Sequence, residues 1–303
     1  MEIKRLSPIN QKGHELSSVW PAQLLNKYEP LQVLGYGGRS IVVEARKCTG
    51  EIVAVKIAYS RRSDISKTVL KKILAHESEV LSSISHRGVV KLIEREANGE
   101  YIIIERLSDD SLFSKYSSKV PTISAGLHCA ALLAEALHAV HIAGYLHLDF
   151  KPHNILFHDV SAKCPMLVDF GSARHIAKPV GPGTVDINKL GTGKYKFKAP
   201  EQLMYMENVY SAQTDGFGLG VTLYWLFCGS MPFSNSCASQ DRALEIYLKE
   251  YHDAVKTARA MPLPSIAKRL VEQLISIDMN KRPYNMGRVA GELRRSALVT
   301  QAL

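Results

Sequence analysis

Cysteine is scarce and poorly placed for cross-linking: Cys48, Cys129, Cys164, Cys228 and Cys237 are scattered, odd in number, and form no C-x-x-C pair. This argues against a disulfide framework and against a thiolate zinc site, and reduced thiols place the chain in a cytoplasmic or nuclear compartment, that of a host cell if its origin is viral. Long apolar runs are also missing. The longest, around Leu219–Cys228, contains Gly220 and follows Asp215 and Gly218, well short of the roughly 18–20 residues of a membrane span. The first ten residues, MEIKRLSPIN, lack the apolar core of a secretory signal. No internal repeat or low-complexity segment is present.

Basic residues outnumber acidic ones, 38 to 29, giving a net charge of +9. They form no long tract, only small groups at Arg61–Arg62, at Lys71–Lys72 and at Lys194, Lys196 and Lys198, without interleaved aromatics. Specific nucleic-acid recognition is therefore not expected. General attraction to polyanions and a surface that meets an anionic nucleotide or acidic partners both remain open. The 303 residues suffice for one large domain or two packed lobes.

The first thirty residues show no clear period. From Leu31, LQVLGYGGRSIVVEAR reads as strand, glycine turn, strand, and EIVAVKIAY as a third strand. Helical spacing over about 64–83 is carried by Ile65, Val69, Ile73, Val80 and Leu81, and VVKLIE and YIIIERL add two strands. A long Ala- and Leu-rich helix follows, stopping at Gly144. Short strands are expected at NILF and MLVDF, and helices dominate from about residue 211. A β-rich first part joined to an α-rich second part near Glu105–Asp110 is an α+β architecture.

Four groups carry chemistry. Gly35, Gly37 and Gly38, with Ser40 and Val42, lie between two strands; glycines there let backbone N–H groups approach phosphate oxygens. Taken in isolation, an ordinary glycine hairpin is the commoner origin of such a run. Lys56 ends a β-branched run, so its ammonium needs anionic partners unless it is a solvated strand-end lysine. In HLDFKPHN, Asp149 can accept or align a hydroxyl proton, Lys151 can offset charge on a transferred phosphoryl group, and Asn154 presents a neutral oxygen suited to Mg²⁺. Asp169, in V-D-F-G after a short strand, can bridge metal and phosphate.

Glycine turn, strand lysine, helical glutamate, H-x-D-x-K-x-x-N, D-F-G and A-P-E occur once each in that order. Over about residues 28–297 the chain resembles the eukaryotic-type protein kinase superfamily. The resemblance implies a two-lobed fold: an extension over 1–27, an N-lobe over 28–104, a hinge over 105–110, a C-lobe over 111–297 and a tail over 298–303. It implies ATP with Mg²⁺ (or Mn²⁺) as cofactors and a protein substrate. Lys56 would grip the α- and β-phosphates and pair with Glu77, which the spacing to His86 selects over Glu79. Glu105 and Leu107 would offer backbone hydrogen bonds to adenine, with Ile104 behind the base, and Val42, Ala54 and Leu156 would sandwich it. Asp109 or Asp110 would meet the ribose. Asn154 and Asp169 would hold metal, and Asp149 would orient the substrate hydroxyl. Glu201 would pair with Arg282, and Asp215 would brace the catalytic loop. Lys151 is similar to serine/threonine rather than tyrosine kinases, and HLDFKPHNIL is close to the Mos and Wee1 versions of the loop.

Three departures stand out. Ser40 replaces the third loop glycine. Leu148 replaces the arginine that reads an activation-loop phosphate, so activity is expected not to depend on phosphorylation of Ser172, Thr184 or Thr192. The stretch GTGKYKFKAPE is two residues longer than usual, leaving Thr192 or Lys194 before A-P-E, and its lysines either form a solvated basic loop or point to acidic residues flanking the phosphosite. Two rival readings are a nucleotide-binding scaffold without transfer and a small-molecule phosphotransferase of related fold.

Overall fold

The computed structural model describes residues 19–159, 163–177, 195–234 and 240–301. The chain forms two compact units, the first made of the chain up to Ser83 plus Val90–Asp109, the second of Ile84–Val89 and everything from Asp110.

In the first unit, strands β1 (Tyr28–Tyr36), β2 (Ser40–Lys47), β3 (Ile52–Ala58), β4 (Leu92–Arg95) and β5 (Tyr101–Glu105) form one antiparallel sheet in the order β1-β2-β3-β5-β4. Strand periodicity of two divides its residues between two faces. One face carries Ile41, Val43, Ala45, Val53, Val55, Ile57, Tyr101 and Ile103, all buried in a single apolar core. Trp20 and Leu24, which lack any sequence period, are buried in the same core. The other face carries Val42, Ala54 and Lys56. Helix α1 (Lys67–Ser82) packs against β3, β4 and β5. It starts later than the spacing suggests because Ser66 caps it, accepting the Val69 N–H at 3.3 Å.

The second unit contains α2 (Leu112–Tyr116), α3 (Ile123–Ile142), the short pairs β6 (Tyr145–Leu146) with β9 (Arg174–His175) and β7 (Ile155–Phe157) with β8 (Pro165–Leu167), then α4 (Pro200–Leu203), α5 (Ala212–Cys228), α6 (Gln240–Ala260), α7 (Ser265–Leu274) and α8 (Met286–Gln301). Helix α3 packs against α5 and α8, and α7 against α5, α6 and α8. The expectation that no stretch approaches a membrane span needs correction at α3, whose 20 residues are long and apolar enough to cross one. His128, Glu135, His138 and His141 interrupt the run without making it polar overall. Half of its apolar window is buried within the protein, with Leu127, Leu133 and Leu137 fully enclosed. The four described cysteines, Cys48, Cys129, Cys164 and Cys228, are free thiols.

Arg282 and Glu201 meet as the sequence implies. The guanidinium donates to both carboxylate oxygens, at 2.7 and 3.1 Å, and to the Ser276 carbonyl at 2.7 Å, and it lies 4.9 Å from the Phe217 ring centroid. Both side chains are buried, so neither charge survives alone in place. Arg282→Met should therefore cost about 3–5 kcal/mol, read by chemical denaturation of the second unit. A loss below about 1 kcal/mol would mean that the pair does not hold α4.

Candidate active site

The candidate site residues fall into two groups, one in each unit. In the first unit, β-sheet register decides which side chains share a face. Gly35 pairs with Val42, Val42 with Lys56, Ala54 with Ile104 and Lys56 with Ile102. Gly35, Val42, Ala54, Lys56 and Ile104 therefore line the face opposite the apolar core. Lys56 is only 7% exposed, and its ammonium donates to both oxygens of the buried Glu77 on α1, at 2.8 and 2.7 Å. The solvated-lysine alternative is thereby excluded, and Glu79 is not the partner.

The turn between β1 and β2 is tied closed by the Gly37 N–H donating to the Ser40 carbonyl at 2.8 Å and by the Ser60 hydroxyl donating to the Gly38 carbonyl at 2.9 Å. A Cβ on Gly35 would meet nothing within 4 Å. The chain itself does not need glycine there, and the open space suits a ligand approaching the backbone. At the end of the sheet, the Glu105 N–H is spent on the Lys91 carbonyl at 3.0 Å, so only the Glu105 carbonyl could face an adenine. Leu107 is buried. Asp109 is taken by Arg106 at 2.5 Å, which also holds Glu44 at 2.6 Å.

In the second unit, Asp149 Oδ2 accepts the Lys151 ammonium at 2.5 Å and the Asn154 side-chain N–H at 2.9 Å. The same Asn154 nitrogen donates to the Asp149 carbonyl, also at 2.9 Å. This fixes the amide so that Asn154 Oδ1 is the atom left for a cation. The antiparallel pair β7–β8 then sets Asn154 beside Asp169, with the Val168 N–H donating to the Asn154 carbonyl at 3.0 Å. Leu156 lies within that pair. Asp169 adopts φ 64°, ψ 71°, and the following Phe170 is buried 4.7 Å from His147, edge to face.

No group of three His, Cys, Asp or Glu side chains that could hold a metal occurs among the described residues. One carboxylate with one amide oxygen suits Mg²⁺, which keeps several waters and completes its shell with substrate phosphates.

The catalytic loop hangs from Asp215 on α5. Its Oδ2 accepts the His147 N–H at 2.8 Å and faces His141 Nε2 at 2.9 Å, and its Oδ1 accepts the Leu148 N–H at 2.7 Å. Burial alone would push this carboxyl's pKa up; the hydrogen bond and charge of His141, with His147, outweigh it and hold the pKa below its ordinary value. Gly218 lets α5 come this close, since a Cβ there would lie 2.8 Å from the Phe150 carbonyl oxygen. Leu148 has φ 59°, a left-handed conformation that costs a non-glycine residue about 1–3 kcal/mol. Its carbonyl accepts the Gln202 side-chain N–H at 3.0 Å. His141 and Gln202 escaped the sequence reading. His141 recurs at helical spacing with His138 and reads as a helix-surface residue, and Gln202 carries no charge to mark it. Ser172 and the lysines Lys196 and Lys198 are described, whereas Thr184, Thr192 and Lys194 lie outside the described residues.

A five-stranded antiparallel sheet with one helix, followed by a helical unit carrying these loops, is the two-lobed protein kinase fold. A family model described as the protein kinase domain matches residues 28–290, and the chain belongs to that family. Human serine/threonine-protein kinase DCLK3 is 32% identical over 278 residues, covering 86% of this chain and 39% of the relative. A probable serine/threonine-protein kinase of Clostridium perfringens is 28% identical over 279 residues (88% and 37%). Wall-associated receptor kinase-like 3 of Arabidopsis thaliana is 28% identical over 306 residues (93% and 40%). The chain thus spans about two-fifths of the length of these relatives.

Lys56→Met should destabilise the first unit by about 3–5 kcal/mol by stranding Glu77, and adding Glu77→Leu should restore most of the loss, as thermal unfolding would measure. Equal losses in the single and double variants would contradict a buried pair. Gly35→Ala should leave unfolding unchanged while raising the KM for ATP about tenfold, because the methyl group enters the space kept open for the ligand. An unchanged KM would detach Gly35 from nucleotide binding.

Proposed function

We propose that this chain is a serine/threonine protein kinase that transfers the γ-phosphoryl group of ATP to hydroxyls of a protein substrate. The observation that carries the reading is the arrangement around Asp149. Lys151 and Asn154 both engage Oδ2, and no hydrogen bond to Oδ1 occurs among the described residues. That oxygen can align the substrate hydroxyl and take its proton as the hydroxyl oxygen bonds to phosphorus and the bond to the ADP oxygen breaks. Lys151, held at 2.5 Å, places a positive charge where negative charge develops on the phosphoryl oxygens. Lys56, steadied by Glu77, would hold the α- and β-phosphates, and Asn154 Oδ1 with Asp169 would hold the divalent cation. When bound, Mg²⁺ (or Mn²⁺) neutralises and orients the phosphate oxygens.

Serine/threonine preference rests on Lys151 and on relatives whose names carry that specificity. Independence from an activation-loop phosphate rests on Leu148, which is 4% exposed and offers no cation to read one. Lys196 and Lys198, just before Ala199, favour substrates with acidic flanks. A scaffold that only binds nucleotide is disfavoured because Lys56, Asp149 and Asp169 are all retained. A small-molecule phosphotransferase is disfavoured by Lys151 and the A-P-E segment.

The test is transfer of radiolabel from ATP with Mg²⁺ to a generic protein substrate. Label should appear on phosphoserine or phosphothreonine and fall at least about a hundredfold in both Lys56→Ala and Asp149→Asn. Nucleotide binding without transfer, or transfer only to small molecules, would overturn the proposal.

A further inference from the structure

We infer that Gln202 is a positioning residue for catalysis, a neutral link that sets the peptide plane leading into Asp149. The inference rests on the proposed kinase activity and on its independence from an activation-loop phosphate.

Gln202 lies in α4, directly after Ala199–Pro200–Glu201, and is only 3% exposed. Its amide bridges two segments far apart in sequence. The side-chain N–H donates to the Leu148 carbonyl at 3.0 Å, while Oε1 accepts the Ala199 N–H at 3.0 Å. The reversed amide would set oxygen against oxygen at Leu148 and N–H against N–H at Ala199, so the orientation is dictated by its partners.

The Leu148 carbonyl belongs to the peptide unit whose nitrogen is that of Asp149. Leu148 is held at its other end by the Asp215 carboxylate, at 2.7 Å, and sits at φ 59°. Both ends of a strained residue are thus pinned. Asp215 alone would fix where Leu148 begins; the peptide plane that follows is held at its nitrogen by the Asp149 N–H donating to His147 Nδ1 at 3.3 Å and at its oxygen by Gln202 at 3.0 Å, the shorter of the two bonds, and together they set where Asp149 points.

A cationic side chain at position 148 could have tied the catalytic loop to a charged group in the segment before Ala199. Leu148 is apolar and buried, so it cannot. Gln202 supplies a link between the catalytic loop and Ala199 that needs no charge on either side. It is made by folding alone, which is how a kinase of this kind would have its catalytic aspartate set without modification.

The test uses the full chain after phosphatase treatment, comparing wild type with Gln202→Met and Gln202→Glu. Methionine preserves volume and removes both hydrogen bonds; an ionised glutamate can still accept from Ala199 but cannot donate to Leu148. Leaving the Leu148 carbonyl unpaired should lower kcat between about fivefold and a hundredfold in both variants. The KM for ATP should stay within about twofold, because no nucleotide contact is altered. Amide hydrogen exchange should quicken at Ala199 in the methionine variant and less so in the glutamate variant.

A kcat within about twofold of wild type in Gln202→Met would overturn the inference. So would a parallel loss of kcat, ATP affinity and thermal stability, the signature of a purely structural role. Failure of the underlying kinase reading would show in the unmutated protein, as absence of transfer or transfer only after phosphorylation, and would remove this inference with it.

Discussion

The Asp215 carboxylate, on a helix whose glycine at 218 lets the catalytic loop lie against it, has no solvent exposure and accepts two consecutive backbone N–H groups, from His147 and Leu148. A buried carboxylate without such donors would protonate or disrupt the fold. With them, and with His141 at 2.9 Å, it stays ionised and holds the loop in a shape the chain would not choose unaided. The left-handed Leu148 is the visible cost of that shape, and the placing of Asp149 is its product.

The same device, a buried charge held by a buried partner of opposite sign, recurs at Lys56–Glu77 and at Arg282–Glu201. Such pairs contribute little net stability compared with apolar replacements, but removing one member is severe. Their value here is positional. Lys56–Glu77 fixes an ammonium against α1, Arg282–Glu201 fixes α4, and α4 in turn carries Gln202. Asn154, whose amide is locked by Asp149, turns its oxygen rather than its nitrogen toward the place a cation would take.

The strands of the first unit were legible because runs rich in Val and Ile, bounded by glycine turns, encode them; continuous apolar runs such as IVAVKIA do not mark their faces. The register that puts Lys56, Ala54 and Val42 on one side together comes from the strand pairing itself. The motif order singled out Asp149, Asn154 and Asp169 as candidates, and the structure brings them close together. Trp20 and Leu24 were illegible, since isolated apolar residues without a period announce burial only through tertiary contacts. Helix α3 and its stop at Gly144 were legible; only its length as an apolar stretch was not, because histidines break the run while adding little polarity. Gln202 was invisible for a different reason: the hydrogen bonds that matter here join it to residues 54 positions and three positions away, and a neutral amide bears no sequence mark of either.

A catalytic loop set by neutral and buried contacts makes one direct claim: the folded, unmodified chain is already active. The decisive measurement is the single-turnover rate of phosphoryl transfer to a serine peptide, before and after phosphatase treatment and in a Ser172→Ala, Thr184→Ala, Thr192→Ala triple variant. The account predicts rates within about threefold of one another. A loss of about a hundredfold or more on dephosphorylation, recovered when phosphate is restored, would contradict it.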